Sequence, residues 1–165
     1  MWRRLIPNAM KKIAIFLMTF IISQISFSQC TYYVSSGIFK FPDGSFAQGY
    51  SGFNNTKSDD VRDLYGQYYY NNAENPDVQD RGSIPCGTYY ITGCDNSIGP
   101  YTLILSQDES TNTYGRNGFR IHGDNRSHNA YSGCIILGRE AREKIALEYE
   151  NAKNQGRVLT LYVFE

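Results

Sequence analysis

Histidine is scarce in this sequence: His122 and His128 are the only two among 165 residues. The four cysteines, Cys30, Cys86, Cys94 and Cys134, form no CxxC pair, and the two histidines do not stand at HxxxH spacing. Zinc sites draw their ligands from such spacings, so no metal is expected, and nothing in the sequence calls for another cofactor. A basic excess is missing too, with 16 Lys and Arg against 16 Asp and Glu. Long apolar runs are limited to one, and it falls short of the roughly 20 residues a spanning helix needs.

That run lies near the start. Residues 1–12 carry Arg3, Arg4, Lys11 and Lys12 and no acid, residues 13–27 are almost all apolar, and Ser26-Phe27-Ser28 places small residues where a signal peptidase reads. Basic, then apolar, then small is the order of a secretory signal peptide. The expectation is a signal over residues 1–28, cleaved before Gln29, with a secreted or periplasmic product and no stable membrane span. Met10-Lys11-Lys12 would itself make a normal start. Cys30 raises a lipoprotein alternative, but Gln29 stands where a lipobox has Gly or Ala. The first 28 residues hold four of the 16 basic residues, so residues 29–165 carry 12 against 16, a formal charge of −4. Such a chain lacks the basic patch that neutralises phosphates, which argues against nucleic acid as a partner.

Residues 29–165 suit one domain with one core. Fourteen Tyr and nine Phe with 15 Gly indicate a mainly β secreted domain with polar loops. Strands are expected over 31–35, 38–41, 45–50, 87–92, 101–105, 118–121, 134–137 and 158–164, the last central or covered on both faces. Pro42-Asp43-Gly44 marks a turn. Residues 139–153 form the one helix, about four turns, with Ala141, Ile145, Tyr149 and Ala152 on one face and Gly156 as its stop. Residues 51–82 read as a long polar loop with a helical turn at 60–65, and a loop of that length is usually functional. If Cys134 stays a free thiol, at most one disulfide forms. Cys86 and Cys94 flank a strand of roughly 26 Å, out of bridging reach, so Cys30 with either is the better pair.

The chemistry concentrates between residues 119 and 137. His122 closes one apolar run, Cys134 opens another, and a polar loop separates them by twelve positions. A thiol needs a base to become a nucleophile, and imidazole is the usual one. Ser132 and Gly133 before the cysteine let the backbone approach a ligand, and the amides of residues 132–134 suit an oxyanion. His122 is favoured over His128 as base because a strand end is a more rigid mount than a loop. Asp124 suits either an imidazole partner or a turn. The bland alternative for Cys134 is a buried core thiol.

The pattern Ile121-His122-Gly123 … Ser132-Gly133-Cys134-Ile135 resembles the L,D-transpeptidase (YkuD-like) superfamily, most closely its branch of type VI secretion effectors. That branch carries Gly-Arg-x-x-Phe-x-Ile-His-Gly-Asp, matched here by Gly115-Arg116-Asn117-Gly118-Phe119-Arg120-Ile121-His122-Gly123-Asp124. Tyr50-Ser51-Gly52, Gly82-Ser83-Ile84-Pro85-x-Gly87-x-Tyr89, and Arg139 and Arg142 after Gly133-Cys134-Ile135 also match. The chain departs from the pattern at Tyr131, where the superfamily has serine, with Ser132 displaced by one. A signal peptide also departs from an injected effector.

The resemblance implies a mixed β-sandwich or barrel-like catalytic fold acting on the tetrapeptide stems of peptidoglycan. Cys134 would be the nucleophile and His122 the base. Ser132, Gly133, Gly123, Asp124 and Arg139 would serve the oxyanion and substrate. Transpeptidation, carboxypeptidase action and D-amino acid exchange would share one thioester. Two other functions stay open: a catalytically silent peptidoglycan-binding envelope domain, and an interbacterial toxin of the same chemistry with an immunity protein as partner.

Overall fold

Alternation of apolar and polar residues drives the architecture. In β8 (Leu159–Phe164), Leu159, Leu161 and Val163 are buried while Thr160 and Tyr162 are half-buried. A strand with one apolar face needs a core on that face only, and eight such strands satisfy one another by closing on themselves. The computed structural model describes residues 28–53, 69–125 and 131–165. The strands are β1 (Gln29–Tyr33), β2 (Ile38–Lys40), β3 (Phe46–Ser51), β4 (Gly87–Asp95), β5 (Thr102–Gln107), β6 (Arg120–His122), β7 (Ile135–Leu137) and β8. They form a closed barrel in the order β1-β2-β3-β7-β6-β5-β4-β8. Closure removes the free sheet edges that would otherwise invite aggregation.

Most pairs are antiparallel, but β1 with β8 and β6 with β7 run parallel. In the second pair Ile121 faces Ile135 and His122 faces Ile136. Ile121, Ile135 and Leu103, the β5 partner of Ile121, are fully buried. They point into the barrel, so Arg120, His122, Cys134 and Ile136 share its outer face.

The helix α1 (Arg139–Asn154) lies against β4, β5 and β8. It buries Arg142, Ile145, Ala146 and Ala152. Glu140 in its first turn and Lys153 in its last suit the helix dipole. It ends where Gly156 takes a φ of 65° and donates to the Lys153 carbonyl.

The mainly β class and the single C-terminal helix match the sequence expectation. β8 is central, paired with β1 and β4, which is one of the two expected alternatives, and its outer face is half exposed. The helical turn expected at 60–65, and the signal peptide except Ser28, lie outside the described residues.

All four cysteines are free thiols, so neither of the favoured pairings, Cys30 with Cys86 or with Cys94, is made. Cys86 and Cys94 sit at opposite ends of β4, and Cys30 is fully buried in the core. Burial, with Glu148 adding to it, pushes the Cys30 thiol up to about 12, so it behaves as an apolar packing group. Reductant should therefore leave the wild-type unfolding midpoint unchanged. Cys30→Ser, which buries an unpartnered hydroxyl, should cost about 1–3 kcal/mol in chemical denaturation. A midpoint that falls on reduction would contradict this.

Candidate active site

Two constraints on the backbone present Cys134. The residues before it form a 3-10 turn, Tyr131–Gly133, in which Ser132 lies at φ 60°, ψ 20° and Gly133 at φ 76°. Left-handed backbone favours glycine, and at position 133 space demands it as well. A Cβ there would fall 2.3 Å from Arg116 Nη2 and 3.2 Å from the Gly82 carbonyl oxygen. The turn therefore rests directly on a buried guanidinium.

Arg116 is almost fully buried. It donates to the Gly82 carbonyl at 2.8 Å, to the Ser83 carbonyl at 2.9 Å and to the Pro76 carbonyl, and it lies 5.4 Å from the Phe119 ring centroid. These partners carry no formal charge, and burial lowers the Arg116 pKa. Phe119 in turn meets Tyr89 edge-on at 5.7 Å, and Tyr89 donates to the Pro85 carbonyl. Ser51, also buried, completes the cradle. Its Oγ donates to the Gly133 carbonyl at 3.3 Å and accepts the Ile84 N–H at 2.9 Å. The motif segments around Ser51, Ser83 and Arg116 thus interlock beneath the cysteine turn.

His122 ends β6 and is mostly buried. Its Nδ1 lies 2.7 Å from the Gly123 carbonyl oxygen. A carbonyl only accepts, so Nδ1 carries the proton and Nε2 keeps the lone pair a base requires. Burial lowers the His122 pKa, and Arg142 and Arg120 lower it further, against opposing effects of the Gly123 hydrogen bond and Asp124. Burial likewise raises the Cys134 pKa. The Arg120 amide, the Arg120 guanidinium and Arg116 pull it part of the way back. The directions of both shifts favour a neutral thiol and a neutral imidazole at rest, so a nucleophilic role for Cys134 would require the proton to move.

The two side chains are related by one strand step and two residues along the ladder, a diagonal of about 7–8 Å between backbones. They line one cleft of about 310 Å³ with Ile98, Gly118, Arg120, Asn125 and Ser132. No group of three His, Cys, Asp or Glu that could hold a metal occurs among the described residues.

The other predicted residues are placed as follows. Ser132 lines the cleft and donates to Asp80 Oδ1 at 2.8 Å. Gly123 allows Arg142 to approach: a Cβ there would sit 2.8 Å from Arg142 Nη2. Asp124 accepts the Tyr50 hydroxyl at 2.7 Å, while the imidazole Nδ1 uses the Gly123 carbonyl. Arg139 is exposed, 6.0 Å from the Tyr101 ring centroid, and does not line the cleft. Arg142 is the buried arginine, donating to the Leu137 carbonyl at 3.1 Å and to the Pro100 carbonyl. His128 and the Tyr131 side chain lie outside the described residues.

The sequence alone assigns no role to Arg116, Arg120 or Ser51. Arg120 is within its reach, since period-two alternation puts residues 120 and 122 on one face. Arg116 is not, because a charged residue in a polar connection carries no sign of burial.

The neutral pair has a kinetic signature. Iodoacetamide alkylation at Cys134, followed by peptide mapping, should rise with pH to a midpoint above that of an ordinary free thiol. It should show no plateau on the acid side. A reactive plateau in the acid range would reveal a preformed thiolate–imidazolium pair and contradict the assignment.

No curated protein and no solved structure matches the chain. The family described as the Tlde1 domain matches residues 65–161, more than half of the sequence and the part that holds both His122 and Cys134. The chain belongs to the Tlde1 domain family, a family of type VI secretion effectors.

Proposed function

We propose that this protein is a secreted cysteine enzyme of L,D-transpeptidase type that acts on the stem peptides of peptidoglycan. The observation that carries the reading is the shared outer face of β6 and β7. A tautomer-fixed imidazole and a thiol open there into the same cleft, with the nucleophile turn held from beneath. The family's effector character and the resemblance in motif supply the substrate class.

In the proposed reaction Cys134 Sγ attacks the carbonyl of the third stem residue while His122 Nε2 takes the thiol proton. Amides of residues 132–134 hold the oxyanion. The tetrahedral intermediate collapses: the C–N bond to the terminal D-alanine breaks, and His122 returns the proton to the leaving amine. The resulting thioester passes its acyl group to water, to a free D-amino acid or to an amine of a second stem. The sulfur leaves as thiol in each case. Export by the signal at residues 1–28 would place the enzyme where this polymer lies.

The effector family favours a second reading of the same chemistry, a toxin against neighbouring cells whose producer needs an immunity protein. Periplasmic expression in a susceptible cell should then cause swelling or lysis that Cys134→Ala abolishes.

With disaccharide-tetrapeptide as substrate, wild type should release D-alanine. Cys134→Ala should lower the rate by about a thousand-fold or more, and His122→Ala by roughly 10²–10⁴. If wild type and Cys134→Ala leave the substrate equally unchanged, the enzymatic reading fails.

A further inference from the structure

Among the described residues that line the cleft, Arg120 carries the only full charge; the rest are Ile98, Gly118, His122, Asn125, Ser132 and Cys134. None of these described residues is a carboxylate. Arg120 is two residues before His122 on the same outer face, opposite Ile104 of β5. Its guanidinium reaches across to the wall that carries Ile98, where Nη1 lies 3.4 Å from Ser97 Oγ. That long contact is its hydrogen bond among the described residues, which leaves most of its five donors available. On that wall Asp95 is held mainly by Ser97: its Oδ1 accepts the Ser97 amide at 3.0 Å and the Ser97 hydroxyl at 2.7 Å, and Arg120 adds a weaker attraction. Among the described residues the cleft thus holds a half-buried, planar, fork-shaped cation alongside Cys134, and Asp95 attracts it without forming a direct ion pair with it. Such a fork matches a carboxylate.

We infer that Arg120 is a specificity-determining residue that receives the free C-terminal carboxylate of the acyl donor, so that the cleft takes peptides whose scissile bond is the last in the chain. Distance along the substrate fits. The carboxylate carbon of the leaving residue lies one residue step, about 3.3–3.6 Å, beyond the carbonyl that Cys134 attacks. Arg120 already lines the cleft that Cys134 lines. Its side chain then spans the next residue of a bound peptide. A donor with one more residue would present a neutral amide to the cation, which would lose its charge partner.

The inference rests on the acyl-donor reading above, and its test separates the two. Stem tetrapeptide is compared with its C-terminal carboxamide, using wild type, Arg120→Gln and Arg120→Lys. Wild type should prefer the free carboxylate on the order of 10–100-fold in kcat/KM. In Arg120→Gln that preference should fall to near one, because the free-carboxylate peptide loses far more rate than the carboxamide, and Arg120→Lys should restore part of it. Equal loss on both substrates would make Arg120 a general electrostatic aid to the thiolate and overturn the inference. A wild type indifferent to the carboxylate would overturn it too. Should wild type turn over neither peptide, the acyl-transfer reading fails separately. Protection of Cys134 from iodoacetamide then decides: the free-carboxylate peptide should protect better than the carboxamide in wild type but not in Arg120→Gln. Equal protection by both peptides in wild type would overturn the assignment.

Discussion

The parallel pairing of β6 with β7 is the constraint on which the site depends. Ile121 and Ile135 meet inside the barrel, and that register puts His122 and Cys134 outside, on one face. A slip by one residue would send one of the pair into the core. The register is secured by burial, because Ile121, Ile135 and Leu103 are all fully enclosed. Parallel strands cannot be joined by a tight hairpin. The connection between these two must return to the start of the ladder, and the nucleophile turn lies at the end of that return. Packing inside the barrel thus fixes a chemical relationship outside it.

Beneath Cys134, the design is polar and enclosed. Arg116 is a buried cation whose hydrogen-bond partners are three backbone carbonyls, and it abuts Gly133 so closely that no side chain fits there. Breaking such a group is costly, because a buried charge without partners is far less stable than a solvated one. The cradle therefore holds the turn in a left-handed geometry that Ser132 would not adopt unaided. The same cation, with Arg120, works against the burial that keeps Cys134 protonated. The balance favours a neutral thiol and a neutral imidazole in one cleft, which suits the proposed reaction, in which both change charge together.

Much of this is legible in the sequence. Every strand is marked by short apolar or aromatic runs between turn signals, and the helix by its period and its terminal glycine. His122 and Cys134 are marked by chemistry: a base and a thiol, each at the edge of an apolar run. The features that are not legible depend on three-dimensional closure. Barrel closure joins β1 to β8, which are more than a hundred residues apart, and no local pattern encodes that. Asp124 reads in sequence as an imidazole partner or a turn residue, whereas a backbone carbonyl holds Nδ1 and Asp124 takes Tyr50, seventy-four positions away. Arg139 and Arg142 look alike in sequence, yet helical phase buries one and exposes the other. Cys30 looks available for a disulfide and is instead sealed in the core.

The central claim is that Cys134 forms a covalent acyl-enzyme. Its most direct test is intact-protein mass spectrometry after rapid acid quench of the protein with disaccharide-tetrapeptide. The account predicts an adduct equal to the donor minus its terminal D-alanine, mapped to the peptide that contains Cys134 and labile to hydroxylamine. Release of D-alanine with no adduct at Cys134, or an adduct mapped to Cys86 or Cys94 instead, would contradict it.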